Sequence, residues 1–244
     1  VPQPPKLERV GCTPSDLRLG CEALYSAGCD GFMAAMWTAA TEVALCGMLR
    51  GCEIALMHGE KFEVPEHVVP TDVEFFHHGG NEHVRMTMRK RKDLRVLRGK
   101  HDKVVLAGGG KILNPARRLR EWLRWRRQMG LGENVPLFCH RDGSSITVDE
   151  LRDEVKRIMR AAGRDPRMYG AHSLRIGGAT AALAAGVTPA LIRMMGRWSS
   201  DVYEIYCRLS LQAALGVGTA IGSAHVTAAD ARFEEEHFEL MQSE

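Results

Sequence analysis

Three short segments of the sequence combine side chains that could act together on a phosphate group. One reads AHSLRIGGAT and carries His172 and Arg175, a second reads GRWSSDVYEIYCR and carries Tyr206, and a third reads LRGCEI and carries Arg50. Guanidinium groups hold phosphate oxygens, a histidine transfers protons near neutral pH, and a phenol can act as a covalent nucleophile. These residue types indicate chemistry on a phosphate ester, provided that the fold brings the three segments together.

The middle of the sequence is strongly basic, although the net charge of the 244-residue chain is only +3. Residues 85–127 carry sixteen basic and three acidic side chains, residues 1–84 carry five and twelve, and residues 128–244 carry twelve and fifteen. A basic block between acidic flanks predicts a polyanionic partner such as a nucleic acid. The alternative is a solvated charged surface with no such partner.

The composition excludes several other classes of protein. Hydrophobic residues make up 45 % and charged residues 26 %, which is typical of a globular chain that can bury a core. No apolar run approaches the length of about 18 residues that a membrane span needs, so we expect no membrane association. The seven cysteines are odd in number and contain no CxxC pair, which favours a reducing intracellular compartment, the cytosol or the nucleus.

Capping residues and helical periodicity predict that most of the chain is helical. Thr13 with Pro14 starts a helix that should end near residue 27. Asp30 starts a longer helix that is apolar nearly all round and therefore buried, with Arg50 at its end and a short helical turn over EIALM behind it. Further helices are expected to begin near residues 114, 147, 173, 188 and 199, and two weak helical segments follow residue 211.

The segment from about residue 62 to 107 has a different pattern. Residues 72–76, 83–89 and 103–107 read as short strands, and the middle one alternates polar and apolar side chains with period two. Together they predict a small antiparallel sheet with a basic turn over residues 90–101. The predicted fold class is therefore mainly α with a small antiparallel β-sheet, an α+β fold.

These features resemble the catalytic domain of the tyrosine recombinase (phage integrase) family. The family motif contains an arginine in an LRxxE context, a lysine on a β-turn, HxxR, a histidine or tryptophan after a glycine, and a tyrosine eight or nine residues further on. HSLRxGGAT followed by GRWSSD and YxR is a specific match, and the resemblance spans residues 12–210. The tryptophan and the eight-residue spacing are most similar to eukaryotic mobile-element recombinases of the DIRS and Crypton kind.

The resemblance implies a role for each matching side chain. Arg50 and Arg175 would bind the non-bridging oxygens of the phosphate, and Glu53 would orient Arg50 from behind. His172 would act as a base or donate a hydrogen bond to the phosphate, and Tyr206 would be the nucleophile. The arginines and a lysine would supply the positive charge, so no metal and no cofactor are expected.

The assignments of the nucleophile and of Trp198 each have an alternative. Tyr206 fits the position of the nucleophile, whereas Tyr203, one helical turn earlier, would be an aromatic packed against the domain. Trp198 takes a place that most family members fill with histidine. Its indole N–H only donates, so it could bind a phosphate oxygen or pack against the nucleophile helix, but it cannot shuttle a proton.

The lysine that protonates the leaving 5′ oxygen is the least constrained assignment. Lys92 fits the position best and Lys90 is second, with Lys100 and Lys103 as alternatives if the turn is longer. Other basic side chains are expected to contact the DNA backbone. They are Arg89, Lys90, Arg91, Lys100, Arg117 and Arg118, together with Arg120, Arg124, Arg126 and Arg127.

The resemblance also implies partners and a domain organisation. The partner would be double-stranded DNA, bound by a homo-tetramer whose subunits are monomers without DNA. Residues 1–12 would be a linker from an N-terminal core-binding domain, residues 13–210 the catalytic domain, and residues 211–244 a helical tail exchanged between subunits.

The expected function is that of a site-specific recombinase or integrase, which cleaves and rejoins DNA through a 3′-phosphotyrosyl intermediate. A type IB topoisomerase is one alternative, although that family usually lacks the histidine of HxxR. A DNA-binding relative without catalysis is the other. The complete set of matching side chains argues against this last reading, because decay should erase at least one of them.

Overall fold

The helices and strands follow the order that the sequence predicts. A computed structural model of the chain describes residues 9–26, 29–89 and 102–198, which all belong to one compact unit. The described residues form a mainly helical fold with one small antiparallel sheet, so the predicted fold class is confirmed. The helices and strands are α1 (Pro14–Leu24), α2 (Gly31–Cys46), β1 (Val73–His78), β2 (Asn81–Met88), β3 (Asp102–Leu106), α3 (Pro115–Gln128), α4 (Val148–Ala161), α5 (Ala171–Ala184) and α6 (Pro189–Met195).

The helices begin where side chains satisfy the free amides of their first turns. The Thr13 hydroxyl accepts a hydrogen bond from the Asp16 amide at 3.0 Å, and the Asp30 carboxylate accepts one from the Phe32 amide at 3.0 Å. Thr147 and Glu150 form the predicted capping box of α4. The helix predicted from residue 199 and the segments after residue 211 lie outside the described residues.

The end of α2 differs from the prediction. α2 ends at Cys46, and the chain then turns through Met48, whose φ of 47° lies in the left-handed region. Arg50 is therefore not at the end of a long helix. It precedes the 3-10 turn Gly51–Glu53, which replaces the helical turn predicted over EIALM. The helical spacing of side chains in the sequence continues through Leu49 and Arg50, but the helical backbone ends at Cys46.

The three strands form an antiparallel sheet in the order β1-β2-β3, as the alternating pattern predicts. The face of β2 that carries Val84, Met86 and Met88 is buried, and the side chains between them are only partly buried. On β3, Lys103 lies opposite Thr87 of β2. The predicted basic turn at residues 90–101 lies outside the described residues.

The core lies between α2 and the helices packed around it. Phe32 of α2 contacts Trp122 of α3 edge to face, with ring centroids 4.9 Å apart. The Trp122 indole donates a hydrogen bond to the Leu137 carbonyl at 2.8 Å, so its polar atom is satisfied within the core. Nearly the whole of α2 is buried, as its apolar sequence predicts.

Two glycines in the HSLRIGGAT segment let α5 approach its neighbours closely. A Cβ atom on Gly177 would lie 1.9 Å from the Cys12 carbonyl oxygen, and one on Gly178 would lie 2.2 Å from the Leu45 carbonyl oxygen. No side chain fits at either position. Gly178 therefore sets the distance between α5 and the end of α2, and Gly177 sets the distance between α5 and the segment before α1.

The described part of the predicted linker is packed against the domain. The Val10 amide donates to the Met168 carbonyl at 3.0 Å, and the Cys12 amide donates to the Ser173 carbonyl at 2.9 Å. Cys12 is fully buried. The described residues 9–12 are therefore packed against the domain, while the boundary between linker and catalytic domain stays a prediction.

Candidate active site

Arg50 is held by the carboxylate of Glu53 across the 3-10 turn. Its backbone amide donates to Glu53 Oε2 at 2.6 Å, and its Nη1 donates to Glu53 Oε1 at 3.3 Å. The Glu53 side chain is 5 % exposed, whereas that of Arg50 is 27 % exposed. Glu53 thus fixes Arg50 from the interior and leaves part of its guanidinium accessible to a ligand.

Arg175 lies on α5 and is buried, with only 1 % of its surface exposed. Its Nη1 donates to the Met48 carbonyl, and its Nη2 donates to the Gly196 carbonyl at 2.7 Å. Met48 and Arg197, which follows Gly196, are the two non-glycine residues with positive φ in the described part of the chain. Each lies just beyond the end of a helix, where a left-handed residue allows the amides of Leu49 and Trp198 to bind carbonyls of the last turn.

The Trp198 ring packs on the guanidinium of Arg175, whose Cζ lies 3.9 Å from the ring centroid. This is a cation–π contact, which is strengthened by burial. A Cβ on Gly196 would lie 1.6 Å from the nearest atom of that ring, so the glycine makes room for the indole. The nucleophile helix lies outside the described residues, so the two roles that the sequence left open for Trp198 both stay predictions.

His172 occupies the first turn of α5 and reaches the surface. Partial burial of the ring lowers its pKa, and the positive charges of Arg175 and Arg50 lower it further. Both guanidiniums therefore act on the same imidazole. A neutral imidazole can accept a proton near pH 7, which fits the base of the predicted chemistry.

Arg197 is a further side chain of the site that the sequence reasoning missed. Its Nη2 donates to Glu53 Oε2 at 2.8 Å, the oxygen that also accepts the Arg50 amide. Its side chain is 12 % exposed. No periodicity or motif position marks it, since the resemblance directs attention to the neighbouring Trp198.

Two of the four tyrosines serve in packing. The Tyr25 hydroxyl donates to the buried carboxylate of Glu154, and burial with that negative charge raises its pKa. Burial also raises the pKa of Tyr169, which is 7 % exposed. Tyr203 and Tyr206 lie outside the described residues, so the nucleophile stays a prediction.

Of the four lysines considered for the leaving group, Lys103 falls within the described residues. It lines a cavity of about 280 Å³ together with Gly47 from the end of α2 and Arg197. Lys90, Arg91, Lys92 and Lys100 lie outside the described residues. The assignment of Lys92 therefore stays a prediction.

Several basic side chains that were expected on DNA bind carboxylates of this chain. Arg89 donates to Asp72 Oδ2 at 2.7 Å, and Arg118 donates to Glu42 Oε1 at 3.1 Å. Arg120 forms a pair with Glu82 at 2.6 Å and lies over the Phe75 ring. Arg117 and Arg124 line a cavity of about 480 Å³ beside Arg120.

The prediction of a DNA contact is wrong for Arg126. This side chain is 2 % exposed, and its guanidinium donates to the carbonyls of Pro136, Leu137 and Gly132. Its Nη1 also contacts the Cys139 sulfur at 2.9 Å. Arg126 therefore holds the chain after α3 in place and has no surface to offer to a phosphate.

Comparisons with known proteins identify the fold of this chain. No protein-family model and no curated protein matches the chain. Its backbone is similar to the XerH site-specific recombinase bound to difH in a pre-cleavage complex, with a TM-score of 0.59, 20 % identity, and coverage of 86 % of this chain and 53 % of that one. It is also similar to the XerA recombinase, with a TM-score of 0.63, 16 % identity, and coverage of 92 % and 68 %. The chain has the tyrosine recombinase fold.

A second XerH structure supports the same conclusion. This post-cleavage complex with palindromic difH gives a TM-score of 0.62 at 19 % identity, over 91 % of this chain and 55 % of that one. The chain thus spans about half the length of the XerH chains. The expected similarity to DIRS and Crypton recombinases is more specific than these matches and stays a prediction.

No helix in the described part of the chain combines the length and the apolar character needed to cross a membrane.

Within this fold the structure brings together five of the side chains that the sequence singled out. Arg50 and Arg175 both act on His172, and Trp198 packs on Arg175. Glu53 hydrogen-bonds the Arg50 side chain and is itself 5 % exposed. This cluster combines positive charge with a neutral base, which is suited to hold a phosphodiester and to move a proton beside it.

Proposed function

We propose that this chain is the catalytic domain of a site-specific DNA recombinase or integrase that cleaves and rejoins strands through a 3′-phosphotyrosyl link. The proposal rests on the tyrosine recombinase fold and on the contacts that join these segments. Arg175 donates to the Met48 and Gly196 carbonyls, and Glu53 accepts from both Arg50 and Arg197. These segments are distant in sequence, and the motif match alone does not bring them together.

The two guanidiniums bind the non-bridging oxygens of the scissile phosphate. They offset the charge that develops on these oxygens as the phosphorus becomes pentacoordinate. The accessible part of Arg50 makes the first contact, while the guanidinium of Arg175 is engaged by two carbonyls and the Trp198 ring. In this proposal the contacts of Arg175 shift when the phosphate binds, because its guanidinium is covered in the structure.

The covalent step uses the phenol of Tyr206. Its oxygen forms a bond to phosphorus while the bond from phosphorus to the 5′ oxygen breaks. His172 accepts the phenolic proton, and Lys92 gives a proton to the departing 5′ oxygen. The reverse sequence with a new 5′-hydroxyl rejoins the strand, so no external energy source is consumed.

The partner in this proposal is double-stranded DNA. Two duplexes would be exchanged within a homo-tetramer, and the basic block of residues 85–127 would contact the backbone. Two of the similar structures are described as XerH bound to a difH substrate, in a pre-cleavage and a post-cleavage complex, which supports this partner.

The decisive experiment is to trap the covalent adduct. The chain is incubated in EDTA with a pool of nicked, end-labelled duplexes of randomised sequence, in which cleavage releases a short piece and prevents rejoining. Denaturation in SDS then separates free DNA from covalent adducts, and sequencing of the retained DNA identifies the target. We expect a labelled adduct from the native chain and none from Tyr206→Phe.

Tyr25→Phe is the matched control, because the Tyr25 hydroxyl is already engaged by Glu154. This variant should form as much adduct as the native chain. An undiminished adduct from Tyr206→Phe would reject the assigned nucleophile. Relaxation of supercoiled DNA without strand exchange would assign the chain to type IB topoisomerases, and salt-dependent binding with no adduct to any target would make it a DNA-binding relative.

A further inference from the structure

One buried carboxylate serves two arginines at the candidate site. Glu53 accepts the Arg50 amide and the Arg197 Nη2 on Oε2, at 2.6 and 2.8 Å, and the Arg50 Nη1 on Oε1 at 3.3 Å. Its side chain is 5 % exposed, so solvent screens its charge only weakly. The charge of Glu53 is therefore divided between two guanidiniums of different exposure.

We propose that Arg197 is a positioning residue that neutralises Glu53, so that the guanidinium of Arg50 keeps a net positive charge for the phosphate of the substrate. The inference rests on the proposed function, since it assigns the phosphate to Arg50. Arg197 acts through Glu53 and does not itself touch the substrate.

The charge balance of the group explains why a second arginine is needed. Arg50 with Glu53 alone is an ion pair of zero net charge, which attracts an external anion weakly. Addition of Arg197 makes the three-residue group positive by one unit. Glu53 can then orient Arg50 without cancelling the charge that the phosphate must meet.

The exposed fractions of the two arginine side chains fit these two roles. The Arg50 side chain is 27 % exposed and that of Arg197 is 12 % exposed, so an incoming anion meets Arg50 first. Arg197 follows the end of α6 with a left-handed φ of 58°, and its amide donates to the Met194 carbonyl at 3.1 Å, a common arrangement at a helix C-terminus. From this turn the Arg197 side chain reaches Glu53, and the preceding Gly196 carbonyl accepts from Arg175.

The test uses inorganic phosphate as the probe, so that it is independent of the unknown DNA target. The dissociation constant is measured from the shift of the Arg50 Nε–Hε signal in NMR titrations of the full chain. Removal of a unit charge this close in a partly buried site should weaken phosphate binding about tenfold in Arg197→Gln. Arg197→Lys keeps the charge and should stay within about threefold of the native chain.

A double variant separates charge balance from simple support of the fold. In Glu53→Gln with Arg197→Gln, the negative charge and its partner are both removed, so affinity should recover most of the loss. A structural role predicts that the double variant is no better than Arg197→Gln. If Arg197→Gln does not fold, Arg197→Lys and the double variant still test the proposal. Charge balance predicts that both bind phosphate with an affinity close to that of the native chain.

Arg164→Gln is the matched control, because Arg164 also binds a largely buried carboxylate, that of Asp16, at 2.8 Å. Its phosphate affinity should equal that of the native chain. Affinity that is lost in Arg50→Gln but unchanged in Arg197→Gln would overturn this inference alone. Equal affinity in the native chain and Arg50→Gln would instead reject the phosphate site on which the proposed function depends.

Discussion

The close contact between Gly196 and Trp198 allows a direct test of how the site is supported. Gly196 has φ of −77°, a value that alanine adopts without strain. A Cβ on it would nevertheless lie 1.6, 2.1 and 2.5 Å from three atoms of the Trp198 ring. The whole effect of Gly196→Ala should therefore come from displacement of the indole.

The expected magnitude follows from two contributions. Forcing a methyl group into a filled space costs about 1–3 kcal/mol. Moving the ring away from Arg175 also removes a buried cation–π contact of about 2 kcal/mol. Gly196→Ala should therefore lower the free energy of unfolding by about 3–5 kcal/mol. The same change in a Trp198→Ala background should cost under about 0.5 kcal/mol, because the obstructing ring is gone.

Urea denaturation of the native chain, the two single variants and the double variant measures this coupling. Gly132→Ala is the control, because no atom lies within 4 Å of a Cβ at that glycine, and it should shift the free energy of unfolding by less than about 0.5 kcal/mol. An equal cost of Gly196→Ala with and without the Trp198 ring would refute the reasoning. It would mean that the glycine is required by the backbone and not by the indole.

Two further predictions concern side chains whose surroundings the structure defines. Arg50→Gln should raise the pKa of His172 toward its ordinary value near 6.5, as measured by NMR titration of the ring. Because the lowered pKa makes the unfolded chain bind more protons below about pH 6.5, the free energy of unfolding should fall as the pH drops, and less so in Arg50→Gln. Arg126→Lys should lose about 2–4 kcal/mol of stability in urea denaturation, since a lysine cannot reproduce the forked contacts to several carbonyls. Arg127→Lys, at an exposed neighbouring position, should change stability by less than about 0.5 kcal/mol, and similar losses in both would contradict this account.

Local signals made the elements predictable from the sequence. Thr13, Asp30 and Thr147 cap helices through contacts that span only two or three residues, so the sequence contains both partners. The alternation in β2 predicted its buried face for the same reason. The position of Arg50 was harder to predict, because the break after α2 depends on Met48 adopting a left-handed backbone whose carbonyl binds Arg175.

The candidate site was predictable only as far as its motif extends. His172 and Arg175 lie on one helix turn, and their spacing identifies them together. Arg197 could not be identified in this way, because its partner Glu53 is distant in sequence and a lone arginine has no pattern. Arg126 was misjudged for a related reason. In a helix rich in arginine, composition does not distinguish a buried guanidinium from a solvated one.

Ion pairs within the fold neutralise part of the positive charge of residues 85–127. The carboxylates of Glu42, Asp72 and Glu82 all come from the acidic segment of residues 1–84, and each binds an arginine of residues 85–127. Part of the charge asymmetry along the sequence is therefore cancelled within the fold. Each phosphate that a protein neutralises contributes about −0.9 to the slope of log affinity against log salt on duplex DNA. The salt dependence of DNA binding should consequently be smaller than the basic residues of this block suggest.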